Sequence, residues 1–200
     1  MGAIDPSDNV ELRKAVGFVA CANLIYFFIE FTVALTIGSV SLFADSVDFL
    51  EDALVNFLIL IALGWSLQAR SRLGMALAGI LLVPGLATIW MAWEKFLAPV
   101  PPEPVPLSLA GLGALAVNVV CAYVLVKFRH HSGSLTKAAF LSARNDAYAN
   151  GAILLAAVAT AYTASGWPDL IVGTAIAAMN VGAANDVWRA ARMERKQAAV

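Results

Sequence analysis

The stretch Val40-Ser-Leu-Phe-Ala-Asp45-Ser-Val-Asp48-Phe-Leu-Glu51-Asp52-Ala-Leu-Val-Asn56, continuing as FLILIALGWSL to Leu67, carries two signals at once. It is apolar for longer than the roughly 20 residues that a membrane-spanning helix needs. It also places four carboxylates, Asp45, Asp48, Glu51 and Asp52, within eight residues. A charged side chain at the bilayer centre costs on the order of 2.5–3.5 kcal/mol even on insertion scales. Acids there require partners.

The rest of the chain agrees with the first signal. Of 200 residues, 60% are hydrophobic and only 14% charged, and the mean hydropathy is +0.78. Soluble domains run at roughly 45–50% apolar and about 25% charged. The expected class is therefore an all-α integral membrane protein. Six apolar stretches are predicted as spans, at about 16–37, 40–67, 73–98, 107–127, 136–163 and 168–191. None shows the alternation of a barrel strand. Gly38-Ser39, the loop 68–72, the proline-rich run 99–106, the segment 128–134 and Gly166-Trp167-Pro168 separate them. Pro84-Gly85 marks a kink in the third span.

Residues 1–15 read as a short cytoplasmic lead-in rather than a signal peptide, residues 16–191 as the transmembrane domain and 192–200 as a short cytoplasmic tail. Six spans leave little room for a soluble enzyme or sensor domain. A net charge of −1 argues against a nucleic-acid partner.

Basic residues set the orientation. Arg13, Lys14, Arg70, Arg72, Lys127, Arg129, Lys137, Arg189, Arg192, Arg195 and Lys196 are eleven of the thirteen Lys and Arg residues. With six spans all eleven fall on one side, so both termini are expected in the cytoplasm. Only Lys95 falls on the other side, where Trp90, Trp93 and Trp167 form an interfacial belt.

The second signal points to a function. At about 100° per residue, Asp45, Asp48, Asp52 and Asn56 share one narrow face, with Glu51 outside it. On the fifth span Ser142, Asn145, Asp146 and Asn150 share a broad face, and Arg144 points nearly opposite to Asp146. Asp48 lies ten residues in from Gly38 and Asp146 nine in from Lys137, so both are about 13–15 Å deep. Oxygen donors from two antiparallel helices at one depth make a site for a divalent cation, whose charge offsets their repulsion. Without the ion, crowding and burial favour protons in its place. A site that holds either is what an ion–proton antiporter needs.

Other polar residues read as helix glue: Asn23, Asn118, Asn180 and Asn185, and as readily Glu30. Asp45 serves equally as a supporting residue. Glu51 reads as a helix contact, Arg144 as a salt-bridge partner or a snorkelling side chain, His130 and His131 as part of the basic loop, and Cys21 and Cys121 as packing residues. An intramembrane hydrolase is disfavoured, because both histidines lie in one loop and no Ser-His or Cys-His pair can form within the spans.

These residues resemble the cation diffusion facilitators over essentially the whole chain. The run from Asn23 to Glu30, and Gly38-Ser-Val-Ser-Leu-Phe-Ala-Asp45 through Asp52, are similar to that family's first two spans. Asp48 and Asp52 match its His-or-Asp, three residues, Asp pattern. Asp146 matches the Asp of its fifth-span pattern, where Ser142 replaces the His. Asn150-Gly-Ala-Ile-Leu-Leu and Trp167-Pro-Asp169 resemble its fifth and sixth spans.

The resemblance implies a homodimeric exporter of Zn²⁺ or a related ion (Mn²⁺, Fe²⁺, Co²⁺, Cd²⁺) in exchange for protons. It implies no other cofactor and a site made by Asp48, Asp52 and Asp146, with Ser142, Asn145, Asn150 or Asp45 in support. A prokaryotic cytoplasmic membrane is the expected location. Three departures stand out: a His-free donor set, which suits harder ions such as Mn²⁺; no cytoplasmic C-terminal domain; and a loop after the second span without the His and Asp residues of a peripheral site. Two other readings are a transporter of a non-metal cation, such as an organic cation, and a scaffold or partner protein that keeps the fold without transport.

Overall fold

A computed structural model describes residues 6–62, 76, 85–128 and 134–180. Arg70, Arg72, Arg129, His130, His131, Asn185, Arg189, Arg192, Arg195 and Lys196 lie outside the described residues. So do Pro84 of the expected kink, the loop 68–72 and the tail 192–200.

Among the described residues the regular structure is helical and no strand occurs. The helices are α1 (Pro6–Ile37), α2 (Val40–Ala62), α3 (85–97), α4 (Pro104–Val126), α5 (Ser134–Thr163) and α6 (167–180). Two stretches, Val10–Ile37 and Pro104–Val126, are long and apolar enough to cross a membrane by length and composition alone.

The structure fills in one boundary and moves another. The lead-in before residue 16 is helical from Pro6 and continuous with α1. Helix α4 begins at Pro104, inside the run assigned wholly to a loop. Proline is tolerated in a first turn, where its missing N–H would be unpaired anyway, and Glu103 at the N-cap is extended (φ −65°, ψ 120°).

The turn between α1 and α2 is built by its own residues. Gly38 adopts φ +64°, and the Ser39 N–H donates to the Ala34 carbonyl at 3.0 Å, the six-to-one bond that closes a helix through a left-handed residue. Ser39 then caps α2, its Oγ accepting the Leu42 N–H at 3.2 Å.

Helix α1 packs chiefly on α2 and α4 on α5. Contact between α1 and α4 joins the pairs, while α2 and α5 meet only lightly. Two apolar clusters hold the bundle. One includes Ala34, Leu42, Phe43, Leu107, Ile153 and Ile176, the other Val16, Val19, Ile59, Cys121, Leu125 and Ala143. Between them along α1, α2, α4 and α5 lie buried Asn23, Glu30, Asp45, Asn118 and Asn150. Large apolar side chains cover the outside, among them Phe18, Phe28, Leu109, Tyr123 and Leu155. This polar-in, apolar-out order suits hydrocarbon rather than water as the surrounding solvent.

Candidate functional site

The buried polar layer converges on Asp52. The Ser142 hydroxyl donates to Asp52 Oδ1 at 2.9 Å, which bridges α5 to α2. From α1, the Asn23 amide donates to Asp52 Oδ2 at 3.5 Å, and the Cys121 thiol of α4 donates to Asn23 Oδ1 at 3.7 Å. Three helices thus meet at one carboxylate, and α4 joins them through Asn23.

Asp146 lies near Asp52, close enough for the two carboxyl groups to influence each other. Asp48 feels the charges of Asp146, Asp45, Glu51 and Asp52. The faces deduced from helical periodicity are therefore brought together, with Asp48, Asp52, Ser142 and Asp146 all partly exposed.

Asn145 takes no part in this network. Its side chain is exposed and its Oδ1 accepts from Arg144 at 3.3 Å, so both sit on the outer face of α5. Glu51 is buried on α2, and Asn180 ties α6 to α2 by donating to the Ala44 carbonyl at 3.1 Å. Cys21, expected to pack, is exposed, whereas Cys121 is buried; both thiols are free.

On the Gly38 side of Asp48 the layer has a second part. Glu30 and Asp45 are fully buried and lie close to each other. None of their four carboxyl oxygens has an N–H or O–H donor. The Asn150 amide lies beside Asp45; its nitrogen donates to the Asp146 carbonyl at 2.8 Å, while its Oδ1 is left without a donor. A buried carboxylate without a donor costs several kcal/mol unless it takes up a proton or a cation. Its donors are all oxygens, the set that suits hard cations. Among the described residues no three His, Cys, Asp or Glu side chains are gathered closely enough to hold a metal ion.

Sequence reasoning gave Asp169 no role. It is fully buried at the start of α6 and accepts from the Ser39 and Ser41 hydroxyls at 2.6 Å each and from the Val40 and Ser41 N–H groups at 2.9 and 3.2 Å. Lys95 of α3 stands 4.0 Å from it and donates to the Gly38 carbonyl at 2.6 Å. The available signal was an acid at the head of an apolar run, on the side where Lys95 is the only cation expected.

The family model for the cation efflux transmembrane domain matches residues 17–191 of the chain. No curated protein matches it. The match spans α1 to α6 and includes every carboxylate of the polar layer, and cation transport is the activity of that family. The chain belongs to the cation efflux, or cation diffusion facilitator, family.

Proposed function

We propose that the protein spans the membrane six times with both termini cytoplasmic, and exports a divalent transition metal, Zn²⁺ foremost, in exchange for protons. Asp48, Asp52 and Asp146 are the ligands and proton acceptors. Ser142 positions Asp52, and Asn150 and Asp45 supply further oxygens. Asn145 would join them only if α5 turned about its axis. The observation that carries this reading is the Ser142–Asp52 hydrogen bond, because it puts α5 beside the α2 carboxylates inside an otherwise apolar bundle.

A cation entering this layer offsets the mutual repulsion of the carboxylates and draws α2 and α5 together across their light contact. Its departure leaves carboxylates that take protons. Rocking of helices about the site gives access alternately from the two sides. The homodimer implied by the family pairs two such units in the bilayer.

Purified protein in liposomes with an internal pH dye tests the reading. Zn²⁺ added outside should move protons through the parent and not through Asp48→Ala or Asp146→Ala, both of which should still elute as folded protein. Parent-like transport by both variants would show that the cation binds elsewhere. Proton movement indifferent to divalent metals would favour a non-metal cation. Absence of metal binding in calorimetry would favour a scaffold.

A further inference from the structure

The Asp169 cluster does more than cap α2. Ser39 pairs the Leu42 N–H; Asp169 pairs the Val40 and Ser41 N–H groups that remain and also takes the Ser39 and Ser41 hydroxyls. From α6, Asp169 reaches two places far apart in sequence, the α1–α2 turn with the start of α2 and Lys95 of α3. Packing beneath it is close. A Cβ on Gly173 of α6 would stand 2.6 Å from the Ser41 nitrogen, and one on Gly166 would stand 2.8 Å from the Pro99 carbonyl oxygen. On the outside Phe96 of α3 meets Trp167 of α6 edge-on at 5.8 Å.

We propose that Asp169 is a positioning residue of the transport cycle, a latch that ties α3 and α6 to the first turn of α2, closes the Gly38 end of the cation path, and releases when a cation leaves by that end. The proposal rests on the transport reading above.

Burial along α2 supports it. Every residue from Ser39 to Val47 is buried, whereas Asp48, Asp52, Ser142 and Asp146 beyond them are partly exposed. The carboxylates are therefore sealed on the latch side of α2. The chemistry of the latch also suits reversal. Helix N-termini leave their first N–H groups unpaired, so water can replace Asp169 at Val40 and Ser41 when the helices part. A covering of apolar side chains alone would have no such substitute.

Thiol labelling at a buried position reads the latch directly. Ala44 is fully buried, lies one turn from Asp48 on the latch side, and shares its helix face. Ala44→Cys, in a Cys21→Ser, Cys121→Ser background, is reconstituted in sealed vesicles. A membrane-impermeant thiol reagent is then applied from each side in turn. Adding Asp169→Asn replaces an acceptor oxygen with a donor amide facing four donors. Labelling from one side only should rise about tenfold, the change that about 1.4 kcal/mol gives in a two-state equilibrium. The Zn²⁺ KM from the other side should rise as the competent state becomes less populated.

If Asp169→Asn fails to fold, Ser41→Ala and Lys95→Met weaken the same latch and should move labelling in the same direction. A lowered melting temperature with unchanged labelling in every folded variant would reduce Asp169 to a second helix cap and overturn the proposal. The labelling needs no metal. Raised one-sided labelling in a protein that fails to move metal would count against the export reading while leaving the latch standing.

Discussion

At the scale of single residues, Ser142 has the clearest chemical consequence. It occupies the position where the family pattern has His and donates to Asp52. A hydroxyl is a weak metal donor, whereas imidazole favours Zn²⁺ over harder ions. Ser142→His should therefore raise preference for Zn²⁺ over Mn²⁺ by about tenfold, equivalent to about 1.4 kcal/mol, in competition binding to the purified protein. An unchanged ratio would place the cation away from Ser142. Asp45, Asp48, Asp52 and Asp146 were legible in the sequence because an acid in an apolar run demands a partner. Periodicity could not separate Ser142 from Asn145, since both fall on one broad face. Only packing against α2 turns the first inward and leaves the second with Arg144. Asn23 and Cys121 were legible as helix glue and as packing, but their link to Asp52 was not. Their places are set by how α1 and α4 meet α2, which a single helix's spacing does not encode.

Among the helices and turns, two glycines serve different needs, and substitution should separate them. Gly38 has φ +64° and open space where a Cβ would lie, so its requirement is one of backbone conformation. Alanine there costs about 1–2 kcal/mol, read as a lower melting temperature, while asparagine, which tolerates the left-handed region, should recover most of the loss. Gly173 has no such φ but stands against the backbone of Val40 and Ser41. Its requirement is space, overpacking costs about 1–3 kcal/mol, and asparagine should be worse than alanine. Equal behaviour of Asn at the two sites would contradict this division. The sequence marked Gly38-Ser39 as a break, because glycine and serine punctuate apolar runs. It misplaced the start of α4, because a proline cluster reads as loop until one proline is seen to occupy the first helical turn.

Over the whole molecule, composition made the membrane class legible, because apolar excess is a property of the chain and needs no contacts. Apart from the second and fifth spans, which their acids placed together, neighbour relations were not legible. The order of apolar stretches does not say that α1 lies on α4, or that α2 and α5 touch only lightly. The close pairing of α1 with α2 bears on how the chain enters the membrane. By itself α2 is a poor candidate for insertion, since each of its four acids adds about 2.5–3.5 kcal/mol near a helix centre. Helix α1 is long and apolar enough to enter on its own terms, and a turn of only Gly38 and Ser39 gives α2 no slack to wait outside. If α2 spans as proposed, it is expected to enter with α1 as one hairpin, with the Asn23 amide already beside Asp52. On that reading α1 acts as escort for a helix that the lipid would otherwise refuse.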